Sequence, residues 1–175
     1  MTNSKQPSDP LTFLNKLAQR VEILERARRL PSLIGAQVSK NSGQAITTGA
    51  GSSTQVTFAS PTDFDTDNFF DDANDQMVIP ADLDGYYLLY GKVQFATGTG
   101  DIRIRPRING TAFAEFNAAS TAGIPSSVAI TPIIRLMAEG DTFQIWVAHN
   151  QGTNRNVDGD GTDEETYFGL QFLGR

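Results

Sequence analysis

The chain has 175 residues, 39% of them hydrophobic, with 20 acidic side chains against 14 lysines and arginines, a formal charge of −6 and no cysteine. That is enough for one good core and a small appendage. The acidity argues against a nucleic-acid binder, which needs a basic face to displace counterions; the missing thiols exclude disulfide frameworks, thiolate zinc sites and thiol nucleophiles.

The N-terminus, MTNSKQPSDP, is polar and runs into a charged stretch, without the apolar core or cleavage site of a signal peptide. Nor does any run of about 20 apolar residues offer a membrane span. The expectation is a protein made without secretion. Ser8 or Asp9 before Pro10 starts a helix, because a side-chain oxygen caps orphan amides and proline loses nothing at the first helical position. Pro31 ends it. Between them Leu14, Leu17, Val21 and Leu24 step by three, four and three, a two-heptad seam that closes at Arg28. Residues 1–36 are therefore predicted to be a short amphipathic helix that anchors the protein to sister copies or to another protein.

Residues 37–55, rich in Ser, Gly, Thr, Ala and Asn, read as a linker or an irregular first strand. From residue 56 to 175 the hydrophobic period becomes two. In GYYLLYGKVQF, Tyr87, Leu89, Gly91, Val93 and Phe95 share one face, while Tyr86, Leu88 and Tyr90 thicken the other, so a long, largely buried strand is expected. DTFQIWVAH puts Phe143, Ile145 and Val147 together, and YFGLQFL does the same for Phe168, Leu170 and Phe172. Further strands are predicted at IRIRPRI, AFAEF and VAITPIIRLM, with turns at Asn109-Gly110 and Glu139-Gly140-Asp141. Many short strands, frequent turns and no second helix give an all-β antiparallel sandwich.

Four stretches are candidates for chemistry. In DIRIRPRIN, Arg103, Arg105 and Arg107 form a stripe opposite Ile102, Ile104 and Ile108. The favoured reading is a face matched by acids on neighbouring strands; the alternative is a grip on an anionic ligand. Pro106 in that run predicts an edge strand or a bulge. The acids of FDTDNFFDDANDQ, from Asp65 to Asp75, read as loop positions bonding their own backbone. His149, the sole histidine, lies at a strand end with no Gly-x-Ser-x-Gly elbow in the chain, so no catalytic residue is assigned. In NRNVDGDGTDEETY, Asn156, Asp158, Asp160 and Gly161 open like a calcium loop, but the twelfth position is Tyr167 rather than a bidentate Glu, and a strand-like run follows. An EF-hand is rejected. An exposed turn is expected, with calcium at Asp158 and Asp160 as the alternative and no other cofactor.

Three of these strands, taken as a set, resemble the trimeric jelly roll of tumour-necrosis-factor (TNF) ligands and complement-type globular heads, over about residues 38–175. GYYLLYGKVQF is similar to that family's central strand, LMAEGDTFQIWV to its Gly-Asp turn and following strand, and YFGLQFL to its closing Phe-x-Gly strand. The resemblance implies a TNF-like jelly roll and a homotrimer. The secreted members carry a leader or membrane anchor, where this chain places a heptad helix. Helix, Ser/Gly/Thr linker and cysteine-free jelly roll together look like small structural proteins of tailed bacteriophages. What that implies is a virion protein made in the host cytoplasm, a minor tail or tail-tip component that binds rather than catalyses. The expected partners are sister copies, other virion proteins through the helix, and a host-surface glycan; nucleic acid and membrane insertion are not expected. A capsid decoration or head-fibre protein is the runner-up, and a glycan depolymerase the third reading.

Overall fold

The computed structural model describes residues 33–47, 52–58, 62–159 and 165–175. The predicted helix with its seam Leu14, Leu17, Val21 and Leu24 lies outside them, as does Asp160. The chain divides into two compact units, Met1–Ser32 and Leu33–Arg175, and every described residue belongs to the second.

Among the described residues the strands are β1 (Gly35–Ser39), β2 (Gln44–Ile46), β3 (Thr54–Gln55), β4 (Thr62–Asp65), β5 (Phe70–Asp71), β6 (Gln76–Val78), β7 (Gly85–Phe95), β8 (Gly100–Ile108), β9 (Thr111–Ala112), β10 (Phe116–Ser120), β11 (Ser126–Met137), β12 (Thr142–His149), β13 (Arg155–Val157) and β14 (Tyr167–Gly174). They form two antiparallel sheets. The first runs β2-β13-β7-β14-β1-β4, with β11 also on β7; the second runs β10-β8-β12-β6-β5, with β3 on β12 and β9 on β8. The segment read as a linker or irregular first strand thus holds strands, and its first part, β1, is interior, paired with both β14 and β4. The strand domain accordingly begins near Leu33 rather than at residue 56.

The core lies between the sheets. Tyr87, Leu89, Val93 and Phe95 point inward from β7, Phe168 and Leu170 from β14, and Phe143, Ile145 and Val147 from β12, all essentially without exposure. Period-two alternation causes this directly, since each strand gives alternate side chains to one side. Phe168 joins the layers, with ring centroids 4.6 Å from Phe58 and 5.6 Å from Phe143. Gly169 beside it is required by contact: a Cβ there would stand 2.5 Å from the Ala36 carbonyl oxygen and 2.7 Å from the Tyr90 hydroxyl.

Two turns fix one end. Asn109 (φ 50°) and Gly110 (φ 75°) both take left-handed backbone, as a two-residue hairpin between β8 and β9 demands. The Asn109 amide donates to Asp141 Oδ1 at 2.7 Å and its oxygen accepts from the Thr142 N–H at 2.9 Å, which ties this hairpin to the turn before β12.

Pro106 departs from expectation. β8 is no edge strand, because β12 flanks it from Ile102 to Ile108 while β10 and β9 lie on its other side. The irregularity falls on the partner instead. Residues 113–115, expected within a strand, interrupt the pairing opposite Pro106, and the Phe113 N–H reaches the Pro106 carbonyl at 3.2 Å. In an extended residue the N and the carbonyl point to the same side, so the proline's missing donor faces this gap and no ladder bond is lost.

Candidate functional site: the outward faces of the two sheets

The outward face of the first sheet is apolar at one end. Tyr86 of β7 pairs with Leu136 of β11, and Leu88 pairs with Ile134. On the other flank Gly174 of β14 pairs with Tyr86, beside Leu173, and the Phe172 N–H donates to the Ile34 carbonyl, which brings Leu33 to the same end. Tyr86 is 49% exposed, Ile134 55%, Leu136 69% and Leu173 49%. Towards the other end the face turns polar, with Gln94 opposite Ser127 and Lys92 opposite Ala129. The strand expected to be largely buried is therefore buried on one face and half-open on the other. A contiguous apolar patch of this kind marks an interaction surface more often than scattered exposed residues do.

The outward face of the second sheet carries the arginine stripe. Arg105 Nε donates to Glu115 Oε2 at 2.5 Å. Glu115 reaches it because it lies in the interruption opposite Pro106, and its carboxyl is held below the usual range by the hydrogen bond from Arg105, then by the charges of Arg105 and Arg103 and a hydrogen bond with Asn117. Arg107 is held otherwise. Its guanidinium lies 3.9 Å from the centre of the Trp146 ring and donates to Ser53 Oγ at 2.9 Å. Trp146 Nε1 in turn donates to Gln144 Oε1 at 3.2 Å, and Gln144 Nε2 to Gln76 Oε1 at 2.9 Å. One arginine is thus matched by an acid as expected, a second is matched by an indole, and Arg103 stands opposite Asn117 and Ala148.

The remaining candidates separate. His149 is buried between the sheets, its Nε2 3.0 Å from the Ile46 carbonyl and its ring edge-on to Phe95. Neither ring nitrogen meets a hydroxyl or carboxylate among the described residues, so no triad forms there. Asp158 is half-buried. Burial raises its carboxyl and the nearby Arg155 opposes that rise. Arg155 is itself buried, donating to the Ala96 carbonyl at 2.8 Å and to Ser120 Oγ at 2.7 Å, and its own pKa is lowered by burial, with Asp158 opposing. A divalent cation at Asp158 would meet that guanidinium charge. Among the described residues no group of three or more His, Asp or Glu could hold a metal. In the segment 64–76, Asp65 at the end of β4 accepts from the nearby N–H groups of Phe69 and Phe70 at 2.8 and 2.9 Å, as anticipated, whereas Asp75 departs from the expectation and accepts from the distant Phe58 N–H at 2.6 Å.

Sequence reasoning missed Tyr86, Ile134, Leu136 and Leu173 as a group, and Glu115 and Trp146 as partners of the stripe. A signal for the first group existed: YYLLY and PIIRLM are apolar on both parities, which a strand with one wetted face does not need.

No protein-family model matches the chain, and no curated protein matches it. Solved structures do. The globular domain of zebrafish complement 1qA aligns with a TM-score of 0.59 at 13% identity, covering 82% of this chain and 99% of that one. Eiger TNF from S. frugiperda gives 0.57 at 14% identity over 81% and 93%, and murine APRIL gives 0.60 at 12% identity over 81% and 100%. At such identities the likeness is one of fold, and it is consistent across the three: the strand domain is an all-β antiparallel jelly roll of the kind found in TNF ligands and complement globular domains.

Proposed function

We propose that the chain is a structural protein of a tailed-bacteriophage virion, a homotrimer whose jelly rolls pack through the apolar outward face of the first sheet and whose task is binding. The observation that carries the assembly is the cluster of Tyr86, Ile134, Leu136 and Leu173, four large apolar side chains about half or more exposed on one end of one sheet. Each is already partly buried, so covering the remainder is worth roughly half of the 1.5 to 3 kcal/mol that full burial brings, a gain that works against the loss of translational freedom on association. Two sister copies are the fitting occupants, since the resembled jelly roll is trimeric.

The virion assignment rests on the sequence resemblance to small phage structural proteins. Residues 1–32 supply the attachment in this reading, because an amphipathic helix of two heptads is marginal alone and gains stability from a partner. The minor tail or tail-tip role is preferred. Labelling the protein on intact particles under the electron microscope tests it: label at the tail tip supports that role, label over the head supports decoration instead, and unlabelled particles overturn the virion reading. A chain lacking residues 1–32 should fold and fail to incorporate; normal incorporation would rule out the helix as anchor. The cut belongs there because removal up to residue 36 would take Gly35 and Ala36 out of β1.

A further inference from the structure

The arginine stripe lies on a face unlike the rest of this acidic chain. On the outward parity of β8, Asp101 and the neighbouring Glu115 stand against Arg103, Arg105 and Arg107, which leaves one net positive charge there in a protein whose formal charge is −6. Asn117 stands opposite Arg103, Trp146 opposite Arg105 and Gln144 opposite Arg107, so cations, amides and one indole alternate across three strands. Among the described residues Arg103 makes no hydrogen bond or ion pair. Arg107, pinned on Trp146, forms a stiff wall beside it.

The face already holds a carboxylate, that of Glu115. It sits between Arg105 and Asn117 and within the field of Arg103. We propose that this internal carboxylate occupies a site for carboxylate-bearing saccharides, and that uronate-type groups of a surface polysaccharide bind at Arg103 and compete with Glu115 for Arg105. Arginine's planar fork suits a carboxylate, and side-chain amides suit sugar hydroxyls. An acidic peptide fits less well. The exposed large apolar side chains are Leu33, Tyr86, Ile124, Ile134, Leu136 and Leu173, none of them on this face, so peptide side chains would find no apolar anchor. The proposal deepens the binding role above by naming its ligand class and the face that takes it.

The test is calorimetric titration of the full chain, its mass checked by light scattering in the same sample, with oligogalacturonate and with a neutral glucan of equal length. Uronate should bind and neutral glucan should not, and added salt should weaken the uronate complex. Arg103→Ala should lower affinity about tenfold, the loss of one charge-assisted contact. Glu115→Gln should raise affinity several-fold by freeing Arg105. Circular dichroism of both variants should match the parent. Equal binding of the two sugars, no uronate binding, or unchanged affinity in Arg103→Ala overturns the proposal. A trimeric sample that ignores uronate defeats this inference and leaves the trimer standing, whereas a monomeric sample that binds uronate does the reverse.

Discussion

Replacing Tyr87 with phenylalanine removes one oxygen from the end of the sandwich where β7 begins and should change how stability responds to alkali. The Tyr87 ring is buried, with centroids 6.1 Å from Phe69 and 5.2 Å from Phe172, and its hydroxyl donates to the Leu83 carbonyl at 2.5 Å. Burial first, then the charges of Asp84 and Asp67, push its pKa up from 10.0 to about 12, with Arg175 opposing. The folded state therefore holds this proton more tightly than the unfolded chain. Below pH 10 both states keep it and the contribution is fully present; between pH 10 and 12 the unfolded chain releases it first, and stability falls by at most about 2.7 kcal/mol. Tyr87→Phe keeps the ring and loses the hydrogen bond, at a cost of about 1 kcal/mol near neutrality. It also loses the alkaline slope, so the two stability curves should cross near about pH 11. Urea unfolding of both proteins at fixed concentration from pH 8 upward measures this, and other groups such as Lys40 cancel in the difference. Parallel curves, or an ultraviolet titration in which no phenol of the parent ionises late, would refute the reasoning.

Three further outcomes are expected. Leu136→Glu puts a charge into the apolar face and should give a folded monomer, read by light scattering with unchanged circular dichroism; a persisting trimer would remove that face from the interface. Gly169→Ala drives a methyl against the Ala36 carbonyl oxygen, a backbone atom 2.5 Å away, so stability should drop by about 1 to 3 kcal/mol, and a parent-like melting temperature would show that β1 and β14 yield more easily than their pairing implies. Calcium should leave the melting temperature unchanged, because Arg155 already counters the charge of Asp158; a calcium-dependent rise lost in Asp158→Ala and Asp160→Ala would establish a metal site.

The strand domain was legible where one physical rule dominated. Alternation in β7 and β12 named the inward residues correctly, because burial on one face is the strongest demand that a sandwich makes of its sequence. The Asn109-Gly110 turn was legible for a similar reason, since two successive left-handed residues select that dipeptide. Residues 37–55 were harder. Small polar residues there suit a linker, and β1 gains its interior place from pairing with β14, more than 120 positions away by the register of Gly35 with Gln171. Pro106 misled because its missing donor was charged to its own strand, whereas the partner strand absorbed it. The candidate site was half visible: the arginine parity could be read directly, but Trp146 and Glu115 reach the stripe through sheet order and a strand interruption, neither of which local sequence encodes. The apolar outward face was written in YYLLY and PIIRLM, and only the absence of any cover from the rest of the described domain gives it meaning.

In a trimer that face is covered by sister copies. Sedimentation equilibrium of the purified full chain at micromolar concentration tests this most directly. A single species of about three times the 19.0 kDa chain mass is the predicted result, and a stable monomer at the same concentration would contradict it.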